Sequence, residues 1–301
     1  MKSYKGKWLY EPDLVLLSVD GPVATITLNA PEKRNALGNQ MLAEMRLAML
    51  EADDRTDVNV IVLCGAGKDF CAGYDLQGAY VGRGETTEAE GISYRVATGN
   101  FDNDTWSMER MQEATLAVFS IHKPVIAKVH GNCLAGGTDL ALACDLVVVA
   151  DDARIGFPAT RANGTPPAHM WTYLMGPQWA KRMLFTGDKL SGADAVTLGL
   201  AIESWPADEL DDAVTALARR VALTDSELLS THKRIVNLAL EQMGALTLQR
   251  IASEMDARAH LATGPRRSRF KADMKEHGLR EALKNRDEPY GDGFIHLRKP
   301  Q

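Results

Sequence analysis

Hydrophobic residues fall along this chain in short compact runs in its first two thirds and at helical spacing in its last third. Leu14 to Val19 and Val23 to Leu28 flank Asp20-Gly21-Pro22, a pattern that predicts two strands joined by a tight turn. Val58 to Cys64 is rich in β-branched residues with no polar alternation, as a strand buried on both faces requires. Pro124 to Val129, Leu146 to Ala150 and Ala153 to Phe157 read as further strands. Helical periodicity marks Asn39 to Ala52, Trp106 to Ile121 and Leu134 to Leu142. Gly78 to about Asp104 is polar, charged and glycine-rich, which predicts a long loop. Phe157 to Trp171 is turn-rich and leads into a helix with Pro166 or Pro167 in its first turn. Gly176 to Phe185 and Ser191 to Leu198 follow as helices around Thr186-Gly187-Asp188. From Asp208 the pattern is wholly helical: Asp208 to Leu223, Ser226 to Met243, Leu246 to His260 and Pro265 to Lys284. These patterns divide the chain into a core over 1–205, a helical region over 206–284 and an extended, polar tail over 285–301.

The stretch with most chemical content is His130 to Cys144, where a buried strand, a glycine turn and a helix come in quick succession. Gly136 and Gly137 sit where the helix begins. Without Cβ atoms there, the backbone can approach a ligand closely and offer its unpaired N–H groups. The positive end of the helix adds attraction for an oxyanion. Asp139 lies about one turn inside, within reach of the same point as an acid or base. An isolated Gly-Gly also suits a tight packing turn, so a second glycine segment weighs in the reading. Gly65 to Leu76 supplies it, again directly after a strand. Its Gly-x-Gly start lacks the third glycine and the immediate helix of a dinucleotide fingerprint, which excludes nucleotide binding there.

Composition narrows the class. With 45% hydrophobic and 25% charged residues the chain is an ordinary globular one, and its net charge of -6 gives no general attraction to nucleic acid or anionic membrane. Cys64, Cys71, Cys133 and Cys144 lack paired zinc-ligand spacing and read as reduced thiols, which points to the cytoplasm. The N-terminal residues carry no apolar secretory core, and the longest apolar region, Val125 to Ala150, is broken by charges and glycines. No metal or redox cofactor is implied.

Taken together, the glycine segments and their neighbours resemble the crotonase (enoyl-CoA hydratase/isomerase) superfamily. The matching pieces are Asn35-Ala36-Leu37, Phe70 to Leu76, His130-Gly131 through Gly136-Gly137, Cys144-Asp145 and Phe157-Pro158. Leu184 to Gly187, Ser191 to Ala195 and Gly199-Leu200 complete them, in family order over roughly residues 14 to 205. The resemblance implies an α/β fold, with a crotonase-like core of repeated ββα units and a helical C-terminal oligomerisation region forming a trimer or dimer of trimers. It implies an acyl-coenzyme A thioester substrate, with coenzyme A present only as part of that substrate, as in fatty acid metabolism. The thioester carbonyl would meet the main-chain N–H groups of Tyr74 and Gly136, with Gly137 beside them, and these donors would stabilise an enolate oxyanion. The Ala30 to Ala36 loop and the Ala72 region, with Gly73, Asp75 and Leu76, would cradle the coenzyme, and Lys33 or Arg34 would meet a phosphate.

One departure bears on the reaction. Hydratases of this family carry two glutamates; Asp139 stands at the first position and Ala159 at the second, where no proton can be exchanged. His169 and Asp75 are the candidates to fill the gap, His169 being the better base and Asp75 the better loop-fixing residue. Arg161 could bind an acyl carboxylate or face solvent. The expected activity is hydration of a 2-enoyl-CoA. The alternatives are double-bond isomerisation on one acid/base group, other enolate chemistry, or an acyl-CoA-binding scaffold without turnover.

Overall fold

The computed structural model describes residues 4–76, 95 and 100–297. Most of the loop expected from Gly78 to about Asp104 lies outside the described residues, as do the last residues of the expected tail.

The core is a sheet of six strands: β1 (Val15–Asp20), β2 (Val23–Leu28), β3 (Val60–Gly65), β4 (Val125–Val129), β6 (Leu146–Ala150) and β9 (Glu203–Trp205). They lie in the order β1-β2-β3-β4-β6-β9; only the β1–β2 hairpin is antiparallel. In β3, Val60 to Cys64 are all buried, as an unbroken apolar run in the middle of a largely parallel sheet requires. The second sheet is built from β5 (Asn132–Leu134), β7 (Arg154–Gly156) and β8 (Lys189–Ser191). Single bridges extend it at both ends, Cys71 beside Cys133 and Phe294 beside Lys189. β3, β4 and β6 of the large sheet are each followed by a short pass along the small one, at Cys71, β5 and β7, in the ββα manner anticipated from the motifs.

Among the described residues there are helices α1 (Asn39–Asp54), α2 (Phe101–Ser120), α3 (Gly136–Ala143), α4 (Trp171–Thr186), α5 (Gly192–Thr197), α6 (Leu210–Val221), α7 (Ser226–Gln242), α8 (Ala245–His260) and α9 (Pro265–Asp287). None is long and apolar enough to cross a membrane. Helix α2 starts at Phe101, inside the segment read as loop, because Asn100 caps it by accepting from the Asn103 N–H. Helix α4 starts at Trp171, so neither Pro166 nor Pro167 lies in its first turn. It bends at Gly176 (φ +75°) ahead of Pro177, where the ring removes a helix hydrogen bond.

The tail is also different. Residues 285–287 close α9, Glu288–Tyr290 form a 3-10 turn, and Gly293 to Ile295 pair with Lys189 on the edge of the small sheet. Ile295 is buried in the main core. Arg161 clamps this segment: its guanidinium bonds Asp188, Asp287 and the Thr186 carbonyl and lies 4.1 Å from the Tyr290 ring centroid. Two carboxylates and an aromatic face were too far away in sequence to be associated with it.

The loops at the rim of the core hang on one side chain. Asn35 is fully buried at φ +55°, a conformation Asn tolerates better than most residues. Its Oδ1 accepts from Ala30 N–H, and its Nδ2 reaches the carbonyls of Ala66, Asp69 and Phe70. We expect Asn35→Ala to destabilise the fold by about 2–4 kcal/mol, since the partners it strands are buried. The midpoint of chemical unfolding measures this loss.

Candidate active site

Two main-chain segments meet at the carboxyl end of the small sheet, the side on which open α/β sheets bind ligands. One is Cys71 to Tyr74 and the other Leu134 to Gly137. Cys71 N–H donates to the Asn132 carbonyl and Leu134 N–H to that of Cys71, so the segments run parallel and in contact. Their approach leaves no room for side chains. A Cβ on Gly137 would lie 2.6 Å from the Cys71 carbonyl oxygen, and one on Gly136 would lie 2.9 Å from both Leu37 and the Tyr74 ring. Ala135, the residue before α3, takes φ +48°, a strained conformation for a residue with a Cβ.

The geometry leaves the N–H groups of Tyr74, Gly136 and Gly137 without an acceptor among the described residues. Those of Ala135, Thr138 and Asp139 are engaged. Gly136 N and Gly137 N are the first-turn donors of α3 left open, and Gly136 N lies 3.7 Å from the point a Cβ on Gly73 would occupy.

Asp139 is 2% exposed on the first turn of α3. Its Oδ2 accepts a 2.8 Å hydrogen bond from the Tyr74 hydroxyl, and its buried Oδ1 has no partner. Burial holds its carboxyl well above the usual carboxylate range, outweighing the Tyr74 bond that pulls the other way; the charge of Asp256 adds to the rise. The Tyr74 phenol is likewise held well above its ordinary value, by burial first and by Asp139 second. The result is a neutral acid beside free amides. Its Tyr74 contact was missed in the sequence, where Tyr74 stood only as a main-chain donor. Cys71 and Cys133 lie beneath as buried thiols outside any disulfide, the Cys71 sulfur accepting from Gly73 N–H and its thiol pushed up to about 12 by burial, so they act as packing groups rather than nucleophiles.

The coenzyme-side candidates come together on one surface. Ala72 N–H donates to Arg34 O, Leu37 N–H to Gly73 O, and Asp75 N–H to Leu37 O, zipping the two loops. Lys33 and Arg34 are exposed on the outer turn, with Arg34 Nε 3.8 Å from Asp69. Ala36 and Ala72 are half-buried between them, and Leu76 packs against Phe270 of α9. Asp75 fixes this loop by its main chain.

His169 is held by partners of its own. Its ring bonds Thr172 at 2.9 Å, while its N–H and carbonyl are both held by Gln249 of α8. Burial lowers its pKa, and no hydrogen bond among the described residues joins it to Tyr74 or Asp139. Ala159 opens the turn of Pro158–Arg161, and its carbonyl collects the N–H groups of Ala162, Asn163 and Gly164. Arg161 beside it is occupied by Asp188 and Asp287 and is not free for a substrate carboxylate. Among the described residues no group of three metal-ligating side chains gathers.

Comparison with known proteins shows the family and the fold. Residues 19–264 match the family model described as Enoyl-CoA hydratase/isomerase. The chain belongs to the enoyl-CoA hydratase/isomerase family. It is 34% identical over 244 residues to a Mycobacterium tuberculosis protein named "Probable enoyl-CoA hydratase EchA14", covering 80% of this chain and 86% of that one. It is 31% identical to a peroxisomal Delta(3,5)-Delta(2,4)-dienoyl-CoA isomerase of Arabidopsis thaliana, covering 73% and 77%. A crystal structure of an enoyl-CoA hydratase from Mycobacterium smegmatis superimposes with a TM-score of 0.83 at 36% identity, covering 93% of this chain and 95% of that one. Relatives named for both reactions thus share this fold, and family membership alone does not choose between them.

Because folding raises the Asp139 pKa, its unfolded state gives up a proton first as pH rises, and stability falls from the ordinary carboxylate range upward. Asp139→Asn removes that dependence. Urea unfolding from about pH 5 to about pH 8 is expected to show the variant gaining on the wild type as pH rises; a constant gap counts against a buried, neutral Asp139.

Proposed function

We propose that this family member is an enzyme acting on an acyl-CoA thioester through an oxyanion-stabilised enolate, and that its reaction is hydration of a 2-enoyl-CoA. The observation that carries the reading is the pair of unengaged N–H groups on Tyr74 and Gly136 beside Asp139, whose Oδ1 is buried without a partner.

The thioester oxygen accepts from both amides. As water adds at the β-carbon, the double-bond electrons move onto that oxygen, where each fixed donor is worth about 3–4 kcal/mol in the transition state. Asp139, kept neutral by burial, gives its proton to the α-carbon, the carbonyl re-forms, and the proton shed by the added water restores the Asp139 acid. The Tyr74 hydroxyl, bonded to Oδ2, turns Oδ1 toward the reacting carbon. Lys33 and Arg34 face the coenzyme phosphates from the outer loop. Coenzyme A enters as part of the substrate, and this reading calls on no metal or redox cofactor. A second reading, double-bond isomerisation, is favoured by the alanine at 159, because one acid/base group can move a proton between two carbons.

Self-association fits the same reading. Helices α7 and α8 leave Ile235, Val236, Met243 and Ile251 exposed by 47–66%, an apolar face suited to further copies of the chain in a trimer or dimer of trimers. A cytoplasmic location accords with the free cysteines. Light scattering is expected to give at least three chain masses, and a monomer at micromolar concentration refutes the assembly.

The reaction is tested with 2-enoyl-CoA thioesters of several chain lengths in deuterated water, following absorbance and product mass. Water addition, reduced about 10²–10⁴-fold by Asp139→Asn, is the expected result. Double-bond migration without water addition selects the isomerase, and binding without change in any thioester rejects catalysis.

A further inference from the structure

The alanine at 159 leaves hydration without a second carboxylate to take the proton of the water. His169 is held by Thr172 and Gln249, and Arg161 by Asp188 and Asp287, so neither fills the gap. Tyr74 enters the site twice. Its main-chain N–H is one of the amides left open, and its side chain returns over α3 to bond Asp139. The ring lies against the first residue of that helix: a Cβ on Gly136 would stand 2.9 Å from Tyr74 Cζ and 3.0 Å from its Cε1. Standard bond lengths then keep the Tyr74 hydroxyl within about 7 Å of the Gly136 nitrogen. An enoyl group whose thioester oxygen sits about 3 Å from that nitrogen is long enough to span the interval.

The hydrogen bond between the two side chains orders their protons. The phenol donates to Asp139 Oδ2 at 2.8 Å, while Oδ1 is buried without a partner. Burial keeps both groups protonated, so the carboxyl proton belongs on Oδ1, the oxygen to which nothing donates. The phenolic oxygen spends its proton in that bond and keeps lone pairs to accept with, and no group among the described residues donates to them. Of the two residues, Tyr74 keeps part of its surface open and Asp139 does not, so an approaching molecule meets Tyr74 first.

We propose that the Tyr74 hydroxyl is a catalytic group of this site, a relay that takes the proton of the added water and hands its own to Asp139. The inference rests on the hydratase reading above. As the water oxygen bonds to the β-carbon, one water O–H bond breaks and its proton passes to Tyr74 Oη. The phenol proton moves to Asp139 Oδ2, and the Oδ1 proton goes to the α-carbon. The double-bond pair shifts to the thioester oxygen and returns to make the new C–H bond as the carbonyl re-forms. Tyr74 and Asp139 both finish neutral, the carboxyl proton having changed oxygens, and a half-turn of the carboxyl readies the next cycle. No free phenolate forms on this route. That suits a phenol whose burial, and whose carboxyl neighbour after it, hold its pKa well above the ordinary value. One side chain thus supplies what a second carboxylate would supply, without placing a second buried charge beside Asp139.

The test compares full-length wild type with Tyr74→Phe and Asp139→Asn in single-turnover hydration of a 2-enoyl-CoA, run in mixtures of light and heavy water, with acyl-CoA affinity measured by calorimetry. Tyr74→Phe keeps the ring and the main-chain donor. It is expected to lower the rate about 10²–10⁴-fold with affinity unchanged within a few-fold. Plotted against deuterium fraction, the wild-type rate is expected to bow below a straight line, because several protons move together, and the residual rate of Tyr74→Phe to fall on one. A phenol that only orients Asp139 leaves the wild-type plot straight, and that outcome overturns the inference even if Tyr74→Phe is slow or does not fold. Near wild-type turnover by Tyr74→Phe, with Asp139→Asn inactive, overturns it as well and leaves the hydratase reading standing. Absence of hydration by the wild type defeats the hydratase reading and this inference with it.

Discussion

The structure depends on two stretches of backbone approaching closer than side chains permit. Cys71 to Tyr74 and Leu134 to Gly137 lie against one another because Gly73, Gly136 and Gly137 carry no Cβ, and because the strained Ala135 turns the chain directly from β5 into α3. That contact leaves the Tyr74 and Gly136 amides without internal partners. It also sets Asp139 one turn inside α3, buried and hydrogen-bonded to Tyr74. Asn35 holds the supporting loops in register from below. A local error in any of these would close the gap in which the amides stand.

Burial then decides what Asp139 can do. A carboxyl deprived of water and of a cationic neighbour keeps its proton, so this position carries an acid where a solvated aspartate would be a charge. The turn at Ala159 has gone the other way. Its neighbour Arg161 bonds internal carboxylates and stacks on Tyr290, and the turn anchors the end of the chain. That turn's arginine is taken up in packing, while the Ala159 carbonyl gathers the N–H groups of Ala162, Asn163 and Gly164.

Much of this was legible in the sequence, for identifiable reasons. Strands such as Val60–Gly65 announce themselves because burial on both faces demands an unbroken apolar run. The glycine pairs announce the amide site because only backbone geometry needs them. What was hidden is carried by polar residues inside helices. Gln249, Ser253 and Asp256 share the buried face of α8 with Ala245, Ala252 and Ala257, and only tertiary contact turns that polar stripe inward. Asp104 lay in a stretch whose composition reads as loop, although the Asn100 cap starts a helix there. His169 was visible as a chemically able residue, but nothing local in sequence signals that Gln249 and Thr172 hold it. Arg161 was ambiguous for the same reason: its partners come from positions 188 and 287.

The pairing of Phe294 with Lys189 gives the chain's end a mechanical role. Gly293 to Ile295 act as an added strand, and Arg161 ties the preceding residues to the turn that begins at Ala159. An affinity tag or partner domain fused at the C-terminus would therefore pull on the edge strand beside Lys189, whereas one at the N-terminus would hang beside α1, whose Glu51 and Asp54 hold Tyr4 and Trp8. Purification handles and reporter fusions belong at the front of this protein.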